Sequence, residues 1–237
     1  MLPRSLSSPN CAPRKDGTCV RFLIIHYTAC DLAETLRILT DGVGPRPVSA
    51  HYVIAEDGEI FQLVPEEMAA WHAGTSYWGA YEGLNTWSIG IELVNPGHGP
   101  RYHPFPEAQT KALLELGEDI QERHSIPAYH VLGHADIAPT RKSDPGELLD
   151  WARLASRGLG CHVPFEETPL SIDEEGCQEL LRGIGYHVHV TGERDEQTTA
   201  ALRAFAYRCA PRCIHDPWDG RVMATLSSYH ARVHEGL

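Results

Sequence analysis

Residues 130–146 run His-Val-Leu-Gly-His-Ala-Asp-Ile-Ala-Pro-Thr-Arg-Lys-Ser-Asp-Pro-Gly, an apolar stretch that turns into a loop. His134 and Asp144 lie too far apart to share a helix face easily, but a looping segment can fold them onto one point. There they supply two of the three protein ligands that a catalytic zinc needs. The third should be a histidine at the end of a buried strand, and His26 in Phe22-Leu23-Ile24-Ile25-His26-Tyr27-Thr28 is the best candidate. Three protein ligands leave a coordination position for water, whose pKa the metal lowers while it polarises a carbonyl. The chain has 14 histidines, so spacing alone leaves open that these are ordinary core or surface residues.

Two further groups fit the same chemistry. Glu92 interrupts the apolar run Trp87–Val94. A carboxylate in a buried strand is costly unless it is paired, placed near a metal, or used. It is a candidate general base that takes a proton from water and delivers it to a leaving amine; the alternative is a strand carboxylate paired with an Arg or Lys. Lys142, two residues from Asp144, could stabilise a developing oxyanion or be a solvated loop lysine.

These residues need elements to hold them. Residues 20–28 form a continuous apolar run that suits a strand buried on both faces, with His26 near its C-terminal end. Asp31 opens a capping-box-like start to a helix through Leu39. Ser49–Ala55 and Glu59–Val64 flank Glu56-Asp57-Gly58, a hairpin signal. Residues 65–86 are loop-like, with Trp71, His72, Tyr77, Trp78, Tyr81 and Asn85. Long aromatic loops inside compact domains are usually functional, and sugar and peptide faces pack on such rings. Pro106 opens a helix that ends near His124, with Ala108, Ala112, Leu113, Leu116 and Ile120 on one face. Residues 128–133 make another short strand, and Trp151–Arg157 a short helix.

Composition shifts at 159–172, which reads as a linker. Helical patterns follow at Glu174–Arg182, Asp195–Tyr207 and Val222–Val233, with a Gly/β-type stretch between the first two. The formal charge of −12 argues against nucleic-acid binding by a basic surface. No apolar run approaches a membrane span, and residues 1–9 lack the apolar core of a signal peptide. The chain as written is expected in the cytosol, or an export signal has been removed or is unconventional. The cysteines number 7, an odd count, and their spacing repeats no zinc-ribbon pattern.

Several blocks occur together in a recognisable order: Ile25-His26-Tyr27-Thr28, Ser49-Ala50-His51-Tyr52, Ala70-Trp71-His72-Ala73-Gly74, Ser88-Ile89-Gly90-Ile91-Glu92-Leu93, Gly133-His134-Ala135-Asp136-Ile137-Ala138-Pro139 and Arg141-Lys142-Ser143-Asp144-Pro145-Gly146. Residues 20–157 thereby resemble the amidase-2 family of zinc-dependent N-acetylmuramoyl-L-alanine amidases, relatives of the peptidoglycan recognition proteins. The resemblance implies an α/β fold with a central mixed β-sheet flanked by helices. It implies hydrolysis of the amide between N-acetylmuramic acid and L-alanine in peptidoglycan or anhydro-muropeptides. It makes His26, His134 and Asp144 zinc ligands and Glu92 and Lys142 the catalytic pair. Trp71, His72, His51 and Asn85 become substrate-binding residues. Some members carry a Tyr where this chain has Ala50; with Glu92 present, the chain follows the Glu-using branch.

The tail, from Leu180-Leu181-Arg182-Gly183-Ile184-Gly185-Tyr186 through Ala204-Phe205, is similar to a three-helix peptidoglycan-binding module. It departs from that pattern around Arg208–Pro217. The expected layout is a catalytic domain over 1–163 and a helical module over 164–237, with zinc as cofactor and a muropeptide or peptidoglycan as partner. The rival readings are a binding protein without catalysis and a zinc peptidase that cuts within the stem peptide. Oligomeric state is left open.

Overall fold

The computed structural model describes residues 3–15, 17–43, 45 and 47–235. Ten strands and seven α-helices follow one another along the chain: β1 (Arg4–Ser5), β2 (Cys11–Pro13), β3 (Phe22–Tyr27), α1 (Leu32–Thr40), β4 (Tyr52–Ile54), β5 (Ile60–Gln62), β6 (Met68–Ala70), β7 (Tyr77–Trp78), β8 (Tyr81–Glu82), β9 (Ser88–Leu93), α2 (Glu107–His124), β10 (Val131–Gly133), α3 (His134–Ile137), α4 (Trp151–Ser156), α5 (Glu174–Ile184), α6 (Glu196–Cys209) and α7 (Gly220–Glu235). Six strands make one mixed sheet in the order β1-β5-β4-β9-β3-β10. β10, β3, β9 and β4 run parallel to one another, β4 and β5 are antiparallel, and β1 is parallel to β5.

Local chemistry explains the main elements. Asp31 caps α1 by accepting a hydrogen bond from the Glu34 backbone N–H at 2.9 Å, the expected use of a short carboxylate before a helix. Asp57 accepts from the Glu59 N–H at 3.0 Å, and Gly58 takes φ +88°, closing the β4–β5 hairpin. A side chain at Gly58 would also strike the Ala108 carbonyl at 2.7 Å. The turn therefore packs against the start of α2, and only glycine satisfies both demands.

The two faces of the sheet have different partners. Side chains alternate along a strand, so Leu23, Ile25, Ile89 and Ile91 face one way and pack with Leu113, Leu116 and Ile120 of α2 and with Leu154 of α4. Phe22, Ile24 and Leu132 share the opposite face with Ala135 and Ile137 of α3. That second cluster runs without a break into Leu181 and Ile184 of α5, Leu202 and Phe205 of α6, and Leu226 of α7. Each such side chain, fully buried, contributes roughly 1.5–3 kcal/mol of transfer free energy.

Some expected elements differ. Residues 65–86 contain β6, the β7–β8 hairpin and a 3-10 turn at Leu84–Thr86, not one long loop. Strands this short leave no alternation to read in the sequence. Ala128–His130 is a 3-10 turn, and the strand begins only at Val131. No strand forms between α5 and α6 among the described residues. All seven cysteines are free. Among the described residues no helix is long and apolar enough to cross a membrane.

Candidate active site

The parallel strands β3, β9 and β10 end on the same side of the molecule and deliver the site. His26 is the register partner of Glu92 across β3 and β9, so both side chains leave the same sheet face. His134 is the first residue of α3, directly after β10. The loop that follows folds back, and the Ala135 N–H donates to the Asp144 carbonyl at 2.8 Å. The structure thus brings His26, His134 and Asp144 together, 1%, 3% and 6% exposed respectively. His26 Nδ1 lies 2.9 Å from His134 Nδ1, and Asp144 Oδ2 lies 3.0 Å and 3.1 Å from the two nitrogens. Their ligand atoms all fall within 4.8 Å of one another.

Hydrogen bonds on the outer sides of the rings decide what faces inward. His134 Nε2 lies 3.1 Å from the Ala73 carbonyl, which can only accept; in the neutral ring that nitrogen carries the proton and Nδ1 is bare. His26 Nε2 lies 2.9 Å from His72 Nδ1. Ser88 Oγ donates its one proton to the Leu84 carbonyl at 2.6 Å, so at 3.1 Å it accepts from His72 Nε2. His72 Nδ1 is then an acceptor, His26 donates through Nε2, and His26 Nδ1 is also bare. Two imidazole lone pairs and a carboxylate oxygen therefore converge, an arrangement that repels itself unless a cation sits among them. The donor set of two imidazole nitrogens and one carboxylate suits a divalent metal with an open position.

The electrostatics agree. Burial pushes His26 down to about 4 and so keeps it neutral near pH 7. Glu92 moves the other way: burial first, then the negative charge of Asp144, push its carboxyl well above the usual range, against the opposing pull of Lys142. Its buried Oε2 has no hydrogen-bond partner. Glu92 also borders a cavity of about 120 Å³ shared with Thr28, Cys30 and Val48, room for a few waters at about 30 Å³ each. Lys142 is exposed on the same loop, close enough for its charge to act on both His26 and Glu92.

The other expected residues have different surroundings. Trp71 is half-buried, its backbone N–H donating to Ser49 Oγ at 2.8 Å. His72 is buried beneath His26, with ring centroids 5.0 Å apart. Asn85 Oδ1 accepts from the backbone N–H groups of both His72 and Ala73, at 3.0 Å and 2.7 Å. His51 has no exposed surface; its Nδ1 accepts from the Gly90 N–H at 3.0 Å and its Nε2 donates to the Met68 carbonyl at 3.1 Å. His51, His72 and Asn85 thus contact the protein interior around the site more than any open groove.

Burial, together with the charge of Arg14, pushes His51 from 6.5 down to about 3. The unfolded ring takes up its proton near pH 6.5, whereas the folded ring does so only near the lower value. The folded state then binds fewer protons in that window, and its stability falls as pH drops below 6.5. At about pH 5 this ring alone is expected to remove about 2 kcal/mol of stability relative to neutral pH. Denaturant unfolding at the two pH values measures the loss, and an NMR titration of the His51 ring assigns it. A ring that titrates near 6.5 in the folded protein would contradict the expectation.

Sequence reasoning missed Ser88, Gly90, Arg141 and the Asp136–Arg208 pair. Arg141 Nη2 donates to the Ala73 and Thr75 carbonyls, both at 2.8 Å, pinning the loop that meets His134. Asp136 and Arg208 are both buried and paired, with Tyr186 Oη donating to Asp136 Oδ1 at 2.6 Å and the Gly133 N–H to Oδ2 at 2.7 Å. Gly90 left a signal, because an isolated glycine within a strand often marks close approach by another group. The others left none.

A mixed sheet with buried ligand-type histidines and an orphaned carboxylate at the ends of its parallel strands is the framework of a hydrolase. The N-acetylmuramoyl-L-alanine amidase family profile, amidase-2, matches residues 16–147, and the chain belongs to that family. It is 42% identical over 228 residues to the N-acetylmuramoyl-L-alanine amidase AmiD of Escherichia coli, covering 86% of this chain and 80% of that one. Its fold matches the solved complex of E. coli AmiD with anhydro-N-acetylmuramic acid-L-Ala-D-γ-Glu-L-Lys at TM-score 0.80, with 33% identity over 92% of each chain. It matches AmpDh3 of Pseudomonas aeruginosa in complex with an anhydromuramic pentapeptide equally well, at TM-score 0.80 and 31% identity, covering 95% of this chain and 98% of that one.

Proposed function

We propose that this amidase hydrolyses the bond between the lactyl group of N-acetylmuramic acid and the L-alanine of the stem peptide, with anhydro-muropeptides among its substrates. The observation that carries the reading is the convergence of three lone-pair atoms, on His26, His134 and Asp144, beside the unpartnered Glu92 Oε2. His26, His134 and Asp144 would hold zinc. When bound, the zinc supplies Lewis-acid chemistry and lowers the pKa of water toward neutrality.

The chain's own groups do the rest. In its ionised form, which burial opposes, Glu92 takes the proton from the attacking water at Oε2 and returns it to the leaving nitrogen. Lys142 places its ammonium where negative charge grows on the carbonyl oxygen. His26 stays neutral, and the proton that moves is the one Glu92 takes from the water. Support for the substrate comes from the muropeptide ligands of the AmiD and AmpDh3 complexes.

We further propose that residues 1–163 form the catalytic unit and 164–237 a helical unit of peptidoglycan-binding type. The end of the family match at residue 147 and the helices α5–α7 support this division.

Mass spectrometry of products from intact sacculi and from anhydro-muropeptide, each with and without a chelator, tests the reaction. Free stem peptides that begin with L-alanine, lost on chelation and restored by zinc, are expected. Fragments cut within the stem peptide would establish a peptidase instead. No product from either substrate, with zinc bound, would leave a binding protein.

A further inference from the structure

We infer that His72 is a positioning residue for the metal centre: with Ala73 it dictates which nitrogen of each ligand histidine carries the proton. This rests on the proposal that His26, His134 and Asp144 hold zinc. The hydrogen-bond chain begins at a backbone carbonyl and runs inward. Leu84 O takes the Ser88 hydroxyl proton, Ser88 Oγ accepts from His72 Nε2, and His72 Nδ1 accepts from His26 Nε2. Each link has one allowed direction, so His26 Nδ1 faces its two partners without a proton. The next residue serves the second ring, since Ala73 O accepts from His134 Nε2. One dipeptide therefore sets both imidazoles, and Asn85 Oδ1 holds that dipeptide by both of its N–H groups.

The seat for His72 is built into the sheet. A Cβ on Gly90 would lie 2.5 Å from His72 Cγ and 2.6 Å from His72 Nδ1. The strand gives up a side chain there so that an imidazole from another segment can reach His26. Fixing a ligand histidine through its outer nitrogen raises the population of the binding tautomer, and losing such a partner typically costs about tenfold to hundredfold in metal affinity.

The test compares His72→Leu, which keeps bulk but has no acceptor, with His72→Asn, whose carbonyl oxygen can stand where Nδ1 stood. Zinc affinity is read by competition with a chromogenic chelator, and the His26 tautomer by ring ¹⁵N shifts of the metal-free protein. His72→Leu is expected to lose about tenfold to hundredfold in affinity and to show mixed His26 tautomers. His72→Asn should recover most of both. If the ring only fills space, Leu will match wild type and Asn will be the poorer variant, which overturns the inference. Equal affinities in all three proteins overturn it too, while the zinc proposal stands. Failure of the wild-type protein to bind one zinc tightly overturns both. Should His72→Leu not fold, an Asn variant that binds like wild type and keeps the Nε2–H tautomer still supports the role; one with mixed tautomers and weak binding removes it.

Discussion

Glu92→Gln is expected to lower kcat on anhydro-muropeptide by about 10²–10⁴, the usual range for loss of a general acid–base, with KM little changed. The substitution keeps the shape of the side chain and removes only its ability to exchange a proton. Glu92 Oε2 is buried without a partner, and burial raises its pKa further than any neighbour can offset. A group in that position is unfavourable for folding, so its neutral amide should leave the melting temperature unchanged or higher. That combination, a large kinetic loss without a stability loss, separates a catalytic carboxylate from one that supports the fold. Zinc content should stay at the wild-type level, because Glu92 lies outside the group of three potential ligands. Steady-state kinetics, metal analysis and calorimetry on one preparation make the check. A kcat close to wild type would remove Glu92 from the mechanism.

Arg208→Met is expected to cost about 3–5 kcal/mol of stability, the scale for breaking one side of a buried ion pair. Arg208 and Asp136 are 4% and 3% exposed. The guanidinium also reaches the Val131 and Cys161 carbonyls at 3.3 Å and stacks 3.7 Å above the Trp151 ring. Methionine restores part of the packing but leaves the Asp136 carboxylate uncompensated in the interior. The double variant Asp136→Asn with Arg208→Met should recover much of the loss, because no unpaired charge remains. Asp136 also accepts from the Gly133 N–H and sits two residues beyond His134, so the single variant should bind zinc more weakly as well. Urea unfolding of the zinc-free proteins reads the stability term alone. A loss below about 1 kcal/mol would mean that water or another cation reaches the carboxylate.

The parts of this structure that could be read in advance are those whose signal is local. β3, α1, the β4–β5 hairpin and α2 follow from an apolar run, a capping aspartate, an Asp-Gly turn and a one-sided apolar helix. The blocks around His26, Glu92, His134 and Asp144 could be picked out because chemistry restricts which residue types suffice there. The partnership of Asp136 with Arg208 could not, since its members stand 72 positions apart and nothing local links them. The seating of His72 was hidden for another reason. A histidine next to an aromatic residue in a loop looks like a surface group, and only the hollow at Gly90 shows where its ring goes. The strands β1, β7 and β8 are two residues each and offer no pattern at all.

The apolar cluster that joins the sheet to α5, α6 and α7 bears on how this protein can be engineered. An irregular connector such as residues 164–173 ordinarily invites chimeras, in which one half is cut away and another anchor is fused in its place. Here the cut would bare Phe22, Ile24, Leu132 and Ile137 to water, all at most 1% exposed in the whole chain. It would also strip Asp136 of its guanidinium. A designer who wants the N-terminal part alone must first rewrite that sheet face in polar residues and neutralise Asp136, because the connector marks a change of sequence character but no seam in the interior.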